Sequence, residues 1–441
     1  SVRLTDAELI TLTTIPIPAP TFFAPLTSSL VPTVAGNPTP TFNRANLAYV
    51  SAVAAGGNAA DGEVLILCAS GEARFAGARR VSQGVWSETY ADGSAIPQSK
   101  LLGYVAENLA TNILARSQEF DVAPWTPGNV TVAANDATVA APDGTITADR
   151  ITDSAVSGQH RVYQLAFSVT NAAAYSFSVY AKAGTLSWLS VNMTCTSPFW
   201  ANFNLATGVV GNKAAAATAT ITALPGGWYR CSISFTADAA TATVQLSTIN
   251  ADINSANPSY VGSGQTMYLW GAQVETGSDP TSYIPTTTGP VSRVGDRLQY
   301  SASNVDFVTG TAYAECTPVG GAFGNYQMWL RTTGASIRTP LYNLNVAPPK
   351  TLSIESAVST FSTLNKYTQG ALNKGASTWS GATGSICMNG GAVAVGSYGS
   401  YAATTFYVGT GEGDYSIQGS IRNVKFWNTR LIDEQIKALT T

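Results

Sequence analysis

The sequence predicts an all-β protein: two consecutive β-sandwich or jelly-roll domains preceded by an extended, proline-rich N-terminal arm. Three observations carry this. Apolar and polar residues alternate with period two in many short runs, the spacing that puts one side of a strand in a core and the other in water. Clusters of Gly, Pro, Asn and Asp separate those runs, as in APDGT (141–145), LPGGW (224–228) and ETGSDP (275–280). The chain has 441 residues, more than one ordinary core can use, so it divides into two or three domains.

Residues 1–45 read as the arm. TDAE (5–8) has the form of a capping box, but Pro16, Pro18, Pro20, Pro25, Pro32, Pro38 and Pro40 follow. Proline fixes φ and lacks an N–H, so the segment runs extended and buries little against itself. Such an arm is expected either to lie on a partner, with Phe22 and Phe23 as docking candidates, or to be disordered in the isolated protein. Residues 46–112 form a lead-in. GEARFAGARR (71–80) brings Arg74, Arg79 and Arg80 into a chain poor in charge. They fit either a solvated face or a contact with an acidic partner surface. AENLATNIL (106–114) fits a short helix or the entry to a strand.

Residues 113–292 form the first sandwich. YSFSVYAKA (175–183) places Tyr175, Phe177 and Val179 on one face, and WYRCSISFTA (228–237) places Tyr229, Cys231, Ile233 and Phe235 inward. TMYLWGAQV (266–274) carries apolar bulk on both faces: Tyr268, Trp270, Ala272 and Val274 on one, Met267, Leu269, Gly271 and Gln273 on the other. It is expected to be a central strand packed on two sides. Residues 293–441 form the second sandwich. Strand-like runs such as TAYAECTPV (311–319) and SIRNVKFWN (420–428) lead to LIDEQIKALTT, where Ile432, Ile436 and Leu439 make one helical stripe.

Composition narrows the function. Only 11% of residues are charged and the net charge is −3, with no basic run, so nucleic-acid binding is unsupported. So sparse a charge suits extracellular β-proteins and viral fibres better than cytosolic enzymes. No apolar stretch approaches the length of a membrane span, and SVRLTDAELI lacks the layout of a secretory signal. The five cysteines are widely spaced, which fits free, mostly buried thiols; Cys195 and Cys231 fall in one expected domain and could pair.

Few constellations offer chemistry. The single histidine, His160, sits in a strand-like run without a nucleophile elbow, so it reads as structural rather than as a catalytic base. GTGEGD (409–414) lacks the Lys and Ser or Thr of a phosphate loop and reads as a turn. No enzyme activity, cofactor or metal centre is expected. Asp/Asn/Gly loops could hold Ca²⁺, but no dedicated spacing occurs. Aromatic rings are the remaining lead, because sugars stack C–H faces on them. Trp228 and Trp270 fall in strands and read as core. Trp200, in CTSPFWANFN (195–204), Trp188 and His160 are the glycan-binding candidates.

Four stretches then suggest a family. SQEFDVAPWTPGNVTVAAN (117–135), APDGTITADRI (141–151), GWYRCSISF (227–235) and YLWGAQVETGSDPTSYIPTT (268–287) resemble the phage head spike fiber domain, a carbohydrate-binding-module-like jelly roll of tailed-phage structural proteins. GSIRNVKFWNTRLIDEQIKALT (419–440) is similar to the closing strand and helix of concanavalin-A/laminin-G-like domains. The resemblance implies a virion surface protein, made in the host cytoplasm, that docks on the capsid or an adjacent structural protein through its N-terminal region. It would be displayed as a homotrimer and would adhere weakly to host-surface glycan. A tail-fibre receptor binder, a purely architectural decoration protein and a polysaccharide depolymerase stand as alternatives.

Overall fold

Alternation sets the strands, and the turn residues set where they reverse. The computed structural model describes residues 16–318, 326–333, 338–344, 351–355, 360–366, 368–399, 402–410 and 416–441. It is an all-β protein with one α-helix, Asp433–Thr440, among the described residues. The TDAE box and residues 411–414 of the GTGEGD stretch lie outside them.

Two six-stranded antiparallel sheets make the middle sandwich. One runs in the order Thr126–Gly128, His160–Ser168, Thr241–Ile249, Trp188–Thr194, Pro198–Asn204, Val209–Lys213. The other runs Val130–Ala133, Asp149–Asp153, Thr266–Thr276, Ala174–Ala183, Trp228–Thr236, Thr218–Leu224. Phe177, Val179, Cys231 and Ile233 from the second sheet meet Leu189, Val191, Val244 and Leu246 from the first, all fully buried. Each large side chain so buried contributes roughly 1.5–3 kcal/mol of transfer free energy.

Thr266–Thr276 is central, between Asp149–Asp153 and Ala174–Ala183. Its faces differ from strict alternation. The register slips between Ser178 and Tyr180, and Gly271 takes φ 64°, where the lack of a Cβ costs nothing. A bulge adds one residue and reverses the facing of everything beyond it. Met267, Leu269, Ala272 and Val274 therefore share the sandwich core. Trp270 turns the other way and packs with Tyr49, Tyr180 and Tyr283.

The C-terminal sandwich draws on the N-terminal residues. Its eight-stranded sheet contains Phe22–Ala24, Phe75–Ala76 and Gly103–Ala106 beside Thr309–Pro318, Asn373–Ser380 and Gly419–Trp427. The facing seven-stranded sheet takes Thr41–Asn43 as its edge, paired with Arg297–Ser301. Phe22–Ala24 and Gly103–Ala106 both pair with Gly419–Trp427, one on Val424–Phe426 and the other on Gly419–Ile421. The prolines around Phe22 prevent this segment from building a sheet of its own, but an extended strand can complete an edge that already exists. The lead-in hairpin Ala48–Ala52/Val64–Cys68 then packs Tyr49 and Leu65 against the outer face of the middle sandwich.

The C-terminal helix also departs from the expected stripe. Ile436 is buried and Leu439 half-buried, but Ile432 precedes the helix and is exposed. Leu431 fills the core position in its stead. All five cysteines are free, and four are buried.

Candidate functional site

The residues singled out from sequence do not come together. Phe22 is fully buried, with its ring 5.2 Å from those of Tyr300 and Phe406, so it fills the chain's own core and cannot dock on a partner. Phe23 is half-buried under Lys425. Arg74 is also fully buried. It donates to Glu107 at 2.8 Å, to Asp296, to the Tyr49 carbonyl and to Ser282 Oγ, which removes it from both a solvated face and a partner contact. Arg79 and Arg80 are half-buried and spent locally. Arg79 donates to the Thr89 and Ala55 carbonyls, and Arg80 forms a bidentate pair with Glu72 at 2.7 Å.

His160 is fully buried, its ring nitrogens against the carbonyls of Asn129 (2.8 Å) and Tyr260 (3.2 Å), which rules it out as a sugar contact. Trp200 and Trp188 lie on the outer face of the first sheet of the middle sandwich. Register places Tyr163, Gln245, Asn192 and Trp200 in one cross-strand row. The next row is Arg161, Ser247, Ser190 and Asn202. Residues 250–257 lie over this polar face, held by Asn192 Nδ2 on the Ala256 carbonyl and Asn202 Nδ2 on Asp252 and the Ile253 carbonyl. Trp200 is thereby only 8% exposed, while Trp188, at the end of its strand, is half-buried.

An open concavity lies elsewhere, on the outer face of the second sheet. A cleft of about 560 Å³ separates that face from the lead-in and the C-terminal sandwich. Such a volume falls in the range of small-molecule sites. The sheet supplies a ladder of short polar side chains: Thr222 beside Arg230 and Tyr180 in one row, Thr220 beside Ser232 and Ser178 in the next. The segment Asp279–Tyr283 lines one side, Gln418–Ser420 and Gln369 another, and Val50, Leu65, Leu102 and Val105 give an apolar wall.

Arg230 is the cation that the sheet presents to the cleft. Its guanidinium stacks 5.4 Å from the Tyr180 ring centre, and Nη2 donates to Ser178 Oγ (2.9 Å) and the Thr281 carbonyl (2.7 Å). Glu107 reaches the same cleft already neutralised. Its Oε1 accepts the Ser282 N–H, and its Oε2 faces Arg74 and Arg293. Burial acts to raise this carboxyl, but Arg293 and Arg74 hold it down to about 2. Glu275, on the same face, is pushed up by burial and accepts from Thr281 N, Thr281 Oγ1 and Gln273 Nε2. The cleft thus presents hydroxyl groups, a guanidinium and apolar surface, with Asp279 as a further carboxylate in its lining.

Arg230 and the Ser/Thr ladder were not singled out from sequence. The signal was present in the polar half of each alternating strand, at Ser178 and Tyr180, at Arg230 and Ser232, and at Thr220 and Thr222. Only the pairing of the strands shows that these positions adjoin.

No family model matches the chain, and no curated protein matches it. Among solved structures it is similar to a candidate carbohydrate binding protein from Bacteroides ovatus ATCC 8483, at 14% identity and TM-score 0.26 over 62% of this chain and 81% of that one. It is also similar to Trypanosoma rangeli sialidase in complex with sialic acid, at 12% identity and TM-score 0.28 over 66% of this chain. With the inhibitor DANA bound, the same sialidase gives 10% identity and TM-score 0.27 over 86% of this chain. In both cases the chain spans 60% of the sialidase's length. TM-scores of this size do not establish a common fold.

Proposed function

We propose that this protein is a non-enzymatic surface protein of a tailed-phage particle, displayed as a homotrimer on the head, that holds host-surface glycan weakly in the cleft between its two sandwiches. The observation that carries the binding reading is the cleft itself: hydroxyl side chains and a guanidinium on one wall, apolar side chains on the other. A sugar ring has the matching duality, hydroxyls around its edge and C–H groups on its faces. Several copies on one particle would convert weak single sites into avid attachment. Binding without cleavage is supported by the engagement of Glu107 and Glu275 by their neighbours. The particle assignment is supported by the resemblance of residues 113–292 to head spike fiber domains.

The test has two parts. Purified protein is screened on bacterial-surface glycans and compared with Thr222→Trp, which fills the cleft from an exposed edge-strand position without touching either core. Binding by the parent, its loss in the variant and no release of reducing ends are expected. Equal binding by both proteins would remove the cleft from the proposal, and no binding by either would remove the glycan. Antibody against residues 295–441, imaged on intact particles, is expected to label the head. Label confined to the tail tip would make the protein a receptor binder instead.

A further inference from the structure

We infer that the cleft selects a carboxylate-bearing sugar and that Arg230 makes the selection. The inference rests on the glycan-binding reading above and names the class of glycan.

The case begins with how Arg230 is held. Tyr180 supports the plane of the guanidinium, and Ser178 Oγ and the Thr281 carbonyl fix Nη2. Nε is buried without a hydrogen-bond partner, and Nη1 makes none. The side chain is therefore positioned while donors remain unspent. Nη1 is the donor left for a bound acceptor.

Among the described residues no carboxylate forms an ion pair with the Arg230 guanidinium, whose Nη2 bonds go to Ser178 Oγ and the Thr281 carbonyl. Glu107 is neutralised by Arg74 and Arg293, and Glu275 lies two rows along the sheet with its oxygens engaged. Asp279 Oδ1 accepts from Gln369 Nε2 at 3.3 Å. Arg230 thus offers a cation beside carboxylates that already have donors. A planar, forked guanidinium matches a carboxylate better than it matches a hydroxyl.

The remainder of the cleft suits a sugar body rather than a bare anion. Thr220 Oγ1 and Ser232 Oγ pair at 2.6 Å on the wall that carries Arg230. Ser420 Oγ, from the opposite wall, is buried without a partner. Leu65 and Val105 provide the surface for C–H groups. A guanidinium and hydroxyl groups on one wall, with apolar surface opposite, match a ligand with an acidic group at one end and hydroxyls at the other.

The experiment measures calorimetric affinity for uronate oligosaccharides (galacturonate, glucuronate and mannuronate), each beside its carboxyl-reduced counterpart and a sulfated neutral oligosaccharide. At least one uronate is expected to bind tenfold or more tightly than its reduced form. Arg230→Gln is expected to erase the difference between the uronate and its reduced form, and Arg230→Lys to retain part of it. The wild-type comparison needs no variant, so a misfolded substitution leaves the test intact. Equal affinity for acidic and reduced sugars would overturn the inference and leave glycan binding standing. Tighter binding of the sulfated sugar would overturn the carboxylate class. Binding of none of these, with neutral glycans also silent, would remove the glycan reading and this inference together.

Discussion

The backbone N–H of Ser282 donates to Glu107 Oε1 at 2.8 Å, and this bond joins the end of the middle sandwich to the strand system of the C-terminal one. Behind it Glu107 and Asp296 share the buried guanidinium groups of Arg44, Arg74 and Arg293. The five residues come from either side of the middle sandwich in the chain, so the cluster forms where its entry and exit meet. Buried charges are tolerable here because each has an opposite partner. Removing one leaves the others stranded, at a cost of roughly 3–5 kcal/mol. Arg74→Met and Glu107→Ala are expected to lose stability of that order in urea unfolding. A loss below about 1 kcal/mol would mean that water already solvates the cluster.

The same cluster gives the fold a pH dependence. Glu107 titrates at about 2 in the folded chain, against ~4.3 for an unperturbed glutamate. A carboxyl whose folded value lies below its unfolded one contributes stability above the unfolded value. That contribution is lost as pH falls through the window toward the folded value. The urea midpoint is therefore expected to fall between about pH 5 and about pH 2, and Glu107→Gln is expected to show a flatter profile over that window. Parallel profiles for the two proteins would assign the acid sensitivity to other groups.

Phe22 makes a third prediction, about the N-terminal segment. The ring is buried among Tyr300, Phe406 and Phe426, and Phe22–Ala24 pairs with Val424–Phe426. Phe22→Ala should cost about 3–5 kcal/mol, the transfer term plus the cavity left behind. Removal of residues 1–43 should strip one strand from each sheet of the C-terminal sandwich and lower its thermal midpoint sharply. A truncated chain that melts at the parent temperature would show that these strands are accessory.

What could be read from the sequence was local. Tyr175, Phe177 and Val179 alternate, and all three are buried in the sandwich core. Trp228 and Trp270 are buried, as strand positions imply. The sequence was silent where two distant segments meet. Phe22 and Arg74 looked like surface features because nothing near them in the chain could bury them. Their partners, Phe426 and Asp296, lie more than two hundred residues away. Arg230 was passed over for a related reason: an arginine in an alternating strand is usually a solvated residue, and only strand order gives it Tyr180 and Thr222 as neighbours. The bulge at Gly271 was hidden for a subtler reason, since either facing of that strand is apolar and both satisfy the pattern.

That bulge supplies the last prediction. Gly271 holds φ 64°, and a Cβ added there would lie 2.9 Å from Tyr180 Cδ2, a ring atom fixed by its contact with Trp270. Gly271→Ala thus faces two costs. The left-handed backbone costs a residue with a Cβ roughly 1–3 kcal/mol, and the clash adds to it. The chain could escape by losing the bulge, but every side chain beyond it would then change faces. Ala272 and Val274 would leave the sandwich core and Gln273 would enter it. Because Tyr180 also supports Arg230, displacing its ring should weaken ligand binding at the cleft as well as stability. Gly271→Ala is therefore expected to lower both the unfolding free energy and the glycan affinity, whereas Gly264→Ala, also at positive φ but with open space around it, should lower only the former, and by less. Equal effects of the two substitutions on both readouts would separate the bulge from the cleft.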